Sequence, residues 1–160
     1  MTQPGKVSGF TLIELLVTVV IVGLLASISM PIYELTMQRS RERDLREALR
    51  EMRAALDAYK QAAEMGRINA DKFSSGYPPN LRTLVDGVID LRSPLKDQRI
   101  YFLRRIPADP FADPGLKAEQ MWGTRAYSSP PDAPMEGADV FDVFSQSNLV
   151  GLNGIPYRQW

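Results

Sequence analysis

Apolar residues fill the stretch from residue 10 to residue 32, where Glu14 is the single charged side chain. As a helix, this run of about 23 residues would extend roughly 34 Å, because each residue adds 1.5 Å. That length is enough to cross a hydrocarbon core of about 30 Å. The pattern therefore predicts a membrane-spanning helix over residues 10–33.

A different pattern follows Pro31, where charged residues become frequent and apolar residues recur at steps of three and four. This spacing puts the apolar side chains on one face of a helix. Gly66 is a typical stop for such a helix, so an amphipathic helix is predicted over residues 34–65. Its apolar stripe consists of Leu45, Leu49, Met52, Leu56, Tyr59 and Ala63.

The opposite face of this predicted helix carries arginines among acidic residues, with pairs such as Glu42 and Arg46 spaced four apart. Pairs at that spacing stabilise a helix slightly. Nucleic-acid binding is not expected there, because the acids cancel most of the positive field and no aromatic residues interleave. We expect this face to be solvated or to contact other subunits.

Residues 66–160 are rich in turn-forming residues, and the whole chain has 12 prolines. We expect a loop over residues 66–80, a short helix that has Pro79 as an early residue and ends near Gly87, and an irregular stretch over residues 93–115 with a brief regular piece at 100–106. Residues 122–128 and 140–145 are strand candidates. The predicted fold class is α+β: a long N-terminal helix packed against a small head with a short antiparallel sheet, in the form of a lollipop.

The amino-acid composition excludes several kinds of site and of catalytic mechanism. The chain has 19 basic and 19 acidic residues, and it has neither cysteine nor histidine. Disulfides, thiol nucleophiles, thiolate zinc sites and imidazole mechanisms are therefore excluded. Common catalytic motifs are absent, and the close acid pairs Asp109 with Asp113 and Asp139 with Asp142 fit turn or solvent-facing roles better than catalysis. An enzyme is not predicted.

Glu14 is costly inside an apolar helix, where a carboxylate costs on the order of 2.5–3.5 kcal/mol. No lysine or arginine lies between Lys6 and Arg39 to pair with it. Cleavage after Gly9 would create an amine on Phe10, which is largely protonated near neutral pH, and a neighbouring copy could bring that amine to Glu14. An ordinary secretory signal fits less well, because the apolar run is too long and no A-x-A site follows it.

The string GFTLIEL at residues 9–15, followed by an uninterrupted apolar helix, resembles the class III signal of type IV pilins and of type II secretion pseudopilins. The resemblance implies that a prepilin peptidase removes residues 1–9 as a leader and methylates Phe10. It assigns Glu14 to subunit recruitment and stacking. Gly23 and Pro31 match positions between which helices of this family extend on assembly, the alternative being a simple kink in a permanent anchor.

The head resembles major pseudopilins more loosely, in the order of its segments and in its final Trp160. The absence of cysteine favours pseudopilins over type IV pilins, which often close a C-terminal loop with a disulfide. The resemblance implies a structural subunit of a type II secretion pseudopilus that drives protein export. The alternatives are a type IV pilin for adhesion, motility or DNA uptake, and a membrane-anchored soluble domain.

Major pseudopilins commonly bind calcium in the C-terminal loop, and this chain departs from their aspartate-rich pattern. No carboxylate side chain follows Asp142, whereas calcium prefers six to eight oxygens with anionic ligands among them. Polar turns are the favoured interpretation, and no cofactor is expected. The neutral oxygen donors of the calcium alternative are Ser145, Ser147, Asn148 and Asn153.

The resemblance also implies partners and a location. The expected partners are further copies in a homopolymer, minor pseudopilins, the prepilin peptidase, and an assembly platform with its ATPase. The expected location is the inner membrane, crossed once with the N-terminus cytoplasmic and the head periplasmic, before assembly into a periplasmic pseudopilus.

Overall fold

The computed structural model describes residues 9–69, 75–95 and 97–160, and within its first helix the side chains of residues 28–32 are outside the description. The chain divides into two compact units, Met1–Arg39 and Ser40–Trp160. The leader, residues 1–8 of which lie outside the described residues, stays a prediction.

Helix α1 runs without interruption over Leu12–Glu64, a length of 53 residues, which confirms the predicted long helix. It ends at a Schellman motif. Gly66 has a φ of +64°, the Gly66 N–H donates to the Ala63 carbonyl at 2.9 Å, and the Arg67 N–H donates to the Ala62 carbonyl at 2.9 Å. Gly66 is therefore the stop that its position predicted, because a residue without a Cβ adopts this backbone conformation at little cost.

In the first unit, the described apolar side chains of α1, up to residue 27 and from residue 33 to residue 37, are exposed. Leu12 is 82% exposed, and even Val17, which is among the least exposed of them, is 46% exposed. Across the part of the chain that the structure describes, no helix is both long enough and apolar enough to cross a membrane.

In the second unit, the apolar stripe of α1 forms one side of the core, as predicted. Leu45, Leu49, Met52, Leu56 and Tyr59 are all buried, and Ala63 is partly buried. The other side of the core comes from later in the chain, from buried residues that include Leu84, Leu103, Trp122, Val143 and Tyr157.

The strands form two small antiparallel sheets. Strand β1, Val88–Ile89, pairs with β2, Arg99–Ile100, and strand β3, Trp122–Arg125, pairs with β4, Asp142–Ser145. The register sets Trp122 opposite Ser145 and Arg125 opposite Asp142. An α+β fold with a small antiparallel sheet is thus confirmed, although the β1–β2 pair was not predicted and the regular piece expected at 100–106 overlaps β2 only at Ile100.

The remaining helices are short. Helix α2 spans Arg82–Asp86 and ends at Gly87, and 3₁₀ helices span Ala118–Gln120 and Tyr157–Gln159. Pro79 precedes α2 and is not one of its early residues, so that expectation was wrong. The carboxamide oxygen of Asn80 accepts the Thr83 N–H at 3.0 Å and thereby satisfies a donor in the first turn.

The charged face of α1 is not all solvated, which corrects the expectation for two of its residues. Glu42 is only 4% exposed, and its Oε1 accepts the Leu152 N–H at 2.7 Å and the Tyr157 hydroxyl at 3.0 Å. Arg53 donates to Asp142 Oδ1 at 2.8 Å and to the Trp160 main-chain oxygen at 2.7 Å. Both side chains fasten the last part of the chain to α1.

Candidate functional site

Glu14 occupies the first turn of α1, at its third residue. The Glu14 N–H donates to the Thr11 hydroxyl oxygen at 3.3 Å, so Thr11 caps the helix. A threonine three residues before a glutamate is the sequence signature of a capping box, a signal that the hydrophobic pattern did not reveal. Its position also suits a carboxylate, because the N-terminal end of a helix carries partial positive charge.

The carboxylate of Glu14 has neither a hydrogen bond nor an ion pair with the residues that the structure describes. Its neighbours along α1 are apolar and exposed, including Ile13 at 64% and Leu15 at 63%. Thr11 therefore satisfies the backbone of Glu14, while the charged group stays free to pair with a cation from another molecule.

The predicted cleavage junction is accessible. Phe10 is 82% exposed, and Gly9 is exposed with open space where a Cβ would lie. A peptidase needs this access to reach the bond between them. Cleavage after Gly9 and methylation of Phe10 stay predictions.

Gly23 and Pro31 both lie inside the continuous helix α1. The Ser27 hydroxyl donates to the Gly23 carbonyl at 2.9 Å, a side-chain bond that competes with the helical pattern. Proline has no N–H, so residue 31 cannot donate to the Ser27 carbonyl. Both features lower the stability of the helix between Gly23 and Pro31. Extension of this stretch on assembly stays a prediction.

Three of the four calcium candidates accept a hydrogen bond from the main-chain N–H two residues further along the chain. Ser145 is buried, its hydroxyl donates to Asp109 Oδ2 at 2.5 Å, and its oxygen accepts the Ser147 N–H at 3.2 Å. The Ser147 hydroxyl accepts the Leu149 N–H at 3.3 Å, and Asn153 Oδ1 accepts the Ile155 N–H at 3.0 Å. Asn148 lines a separate open pocket, together with Phe144 and Arg158.

These contacts agree with the interpretation as polar turns. Within residues 9–69, 75–95 and 97–160, no three acidic side chains come together in a way that could hold a metal ion. Calcium binding at Ser145, Ser147, Asn148 and Asn153 stays an untested alternative.

The acid pairs considered for catalysis also serve the backbone. Asp109 is buried and its Oδ1 accepts the Phe111 N–H at 2.8 Å. Asp113 Oδ1 accepts the Gly115 N–H, and Asp139 Oδ1 accepts the Tyr127 N–H, each at 2.8 Å. The bonds of Asp109 and Asp113 define turns, which is the role that their surroundings predicted, whereas the bond of Asp139 joins two residues that are 12 apart in the chain. The bond from Ser145 to Asp109 had no local sequence signal.

One ion pair, between an exposed arginine and a buried aspartate, supports the loop after α1. Arg67 donates to Asp90, which is 9% exposed, and the Leu91 N–H donates to the Arg67 carbonyl at 2.7 Å. The hydrogen bond from Arg67 lowers the pKa of Asp90, because it stabilises the ionised carboxylate.

Comparison with known proteins supports the interpretation of the N-terminal segment. A family model described as the prokaryotic N-terminal methylation motif matches residues 5–30, which include Gly9, Phe10, Glu14 and Gly23. No curated protein and no solved structure matches the chain. The motif supports a type IV pilin-like protein that is processed as a prepilin, and proteins with this motif have a structural role.

Proposed function

We propose that this chain is a structural subunit of a type II secretion pseudopilus. Prepilin peptidase cleaves it after Gly9 and methylates Phe10, and the mature subunit polymerises through the first part of α1 to drive protein export. One observation carries the proposal: the carboxylate of Glu14 has no partner among the described residues, and it lies in the first turn of α1, where the side chains described up to residue 27 are exposed and mostly apolar. The methylation motif over residues 5–30 supports the processing step.

The apolar surface of α1 requires a cover from outside the chain. A helix that is apolar all round is stable when it is buried in a membrane or among other helices. We propose that the inner membrane covers it before assembly, with the N-terminus cytoplasmic and the unit Ser40–Trp160 in the periplasm. In the filament, the same surface packs against the helices of other copies.

Glu14 supplies the specificity that apolar packing lacks. Contacts between apolar side chains are non-directional, so by themselves they leave the offset between helices undefined. A carboxylate in apolar surroundings is stable only when a cation pairs with it, and the Phe10 amine of a neighbouring copy provides one. The pair thereby sets the offset between adjacent subunits. Minor pseudopilins, an assembly platform and its ATPase are the further proposed partners, and no catalytic role is proposed.

Mass spectrometry of the mature chain purified from membranes tests the processing step. The expected N-terminus is N-methylated Phe10. A chain that begins beyond Ser29, or that keeps Met1, would contradict the proposal, because an ordinary signal or an uncleaved anchor gives these products.

A matched pair of substitutions tests the role of Glu14. Glu14→Ala is expected to leave cleavage after Gly9 intact and to abolish filaments, because the neighbour's amine loses its partner. Glu34→Ala removes an exposed carboxylate from the same helix and is expected to leave filaments unchanged. Normal filaments in the Glu14 variant would refute the pairing.

Deletion of the gene distinguishes a type II secretion pseudopilin from a type IV pilin. Loss of protein secretion without loss of long surface fibres is the result expected for a pseudopilus. Loss of long surface fibres with secretion unchanged would show a type IV pilin, which shares the N-terminal segment.

A further inference from the structure

An open groove of about 710 Å³ runs beside α1 in the second unit and carries positive charge. Glu47 is the one acid that lines it, against four arginines. We call it the arginine groove, and its defining residues are Arg43, Arg46, Arg50, Arg53, Ile155 and Trp160.

Two of these arginines already have structural roles. Arg53 holds β4 and Trp160, and Arg46 lies over the Trp160 ring at 4.4 Å. Arg43 and Arg50 are exposed, and neither has an ion pair among the described residues. The groove therefore offers two available cations above an apolar floor of Ile155 and Trp160, which suits an acidic segment that also carries an apolar side chain.

The chain itself contains such a segment at residues 130–139, which we call the acidic loop. It holds Asp132, Glu136 and Asp139, and no lysine or arginine occurs between Arg125 and Arg158. Asp132 and Glu136 are exposed and have no ion pair with described residues.

Two hydrogen bonds of the Met135 main chain order the acidic loop within its own chain. The Met135 N–H donates to the Ser129 hydroxyl at 2.8 Å, and the Met135 carbonyl accepts the Ala126 N–H at 2.9 Å. These bonds hold the main chain, while the Met135 side chain is 62% exposed between the two free carboxylates. A segment that is ordered before it binds loses little conformational entropy on docking.

We infer that the acidic loop of one copy docks in the arginine groove of the next copy, with Asp132 and Glu136 against Arg43 and Arg50, and Met135 against Ile155 and Trp160. The loop and the groove share no residue, so the contact joins unlike surfaces of identical chains. Contacts of this type propagate into open filaments when the rotation between neighbouring copies does not close a ring. The inference rests on the proposed function and adds to it the surfaces that join neighbouring units outside the apolar helices.

Cross-linking in filaments tests the contact, and the absence of cysteine from the chain leaves no background. One tagged copy carries Gln159→Cys, at an exposed residue that lines the groove, and a second, differently tagged copy carries Asp132→Cys. A bismaleimide reagent is expected to link the two tags. Asp86→Cys, at another exposed aspartate, is the matched control and is expected to give no link to Gln159→Cys. Equal yields from both pairs would overturn the inference.

Charge reversal tests the chemistry of the contact. Arg43→Glu with Arg50→Glu in the groove copy is expected to lower the cross-link yield at least about tenfold, because like charges then oppose each other. Arg41→Glu makes a similar change on α1 outside the groove, and the yield is expected to stay unchanged. Adding Glu136→Arg to the loop copy is expected to restore the yield in the double variant, which also shows that this variant is folded. An unchanged yield in the double variant, or no recovery, would overturn the inference.

The failure of this inference is distinguishable from the failure of the proposed function. Filaments with N-methylated Phe10 but without the loop-to-groove link overturn the inference alone. An unsubstituted chain without N-methylated Phe10 overturns the proposed function and this inference with it.

Discussion

Two stretches of α1 carry similar leucines in opposite environments. In the first unit Leu16 is 52% exposed and Leu25 is 61% exposed, whereas in the second unit Leu49 and Leu56 are 2% and 1% exposed. Helix formation alone therefore does not decide burial. The second stretch finds its cover within its own chain, and the first must find one in a membrane or in other copies.

The two stretches also differ in how their polar groups are used. Glu42 and Arg53 are bound to distant parts of the same chain, and the carboxylate of Glu14 has no partner among the described residues. The buried polar groups of the second stretch thus have partners within the same chain. The first is a surface whose charge and apolar groups are both left for an external partner.

Leu56→Ala is expected to have the largest effect on stability, because it opens a cavity in the core. The free energy of unfolding should fall by about 2–5 kcal/mol. Denaturant unfolding of the full chain in detergent, followed by the fluorescence of Trp122 and Trp160, measures it. Leu16→Ala is the matched control on the exposed stretch, with an expected change within about 0.5 kcal/mol. Equal losses from both substitutions would remove the contrast between the stretches.

Glu42→Ala is expected to cost about 1–3 kcal/mol, because the Leu152 N–H and the Tyr157 hydroxyl would lose their acceptor in a buried place. The same unfolding measurement applies. Glu47→Ala, five residues further along the helix, removes an exposed carboxylate and should leave stability nearly unchanged. If Glu42→Ala left the free energy of unfolding unchanged, the C-terminal segment would be held by its apolar contacts alone.

Glycine to alanine substitutions should act in opposite directions in the two stretches. Gly66→Ala forces a Cβ into a backbone with a φ of +64° and is expected to destabilise the protein by about 1 kcal/mol. Gly23→Ala meets open space inside α1 and should raise the stability of the helix by about 1 kcal/mol. Thermal unfolding followed by circular dichroism measures both, and effects of the same sign would contradict the structure.

Asp90 should make a smaller, pH-dependent contribution. Its pKa in the folded chain lies below the ordinary value of 3.8, so its stabilising effect is present above that value and is lost as pH falls through the folded pKa. Asp90→Asn should therefore lower stability near pH 7, with the difference from wild type shrinking as the solution is acidified to about pH 2. Asp86→Asn is the exposed control. A difference that stayed constant with pH would exclude the ionised pair as its source.

Local sequence signals predicted the elements whose causes are local. The steps of three and four from Leu45 to Ala63 identified the buried face of α1, and Gly66 identified its end. The strand candidates at residues 122–128 and 140–145 contain β3 and β4, and each predicted range is longer than the observed strand by two or three residues. The pair β1–β2 was missed because two-residue strands are too short to show a period. Thr11 caps α1, and the spacing of this threonine and Glu14 is a capping signal that the apolar pattern concealed.

The sequence by itself determined where the helix runs, which face of its second stretch is apolar, and that Glu14 lies alone in an apolar segment, because each of these depends on neighbours within a few turns. Only the tertiary structure decided that Glu42 is buried, that Arg53 holds β4, and that Asp109 binds Ser145. The partners of Glu42 include the backbone of Leu152, 110 residues further along the chain. Helical periodicity places a polar residue on a face, but folding brings the distant chain that either covers that face or leaves it to solvent.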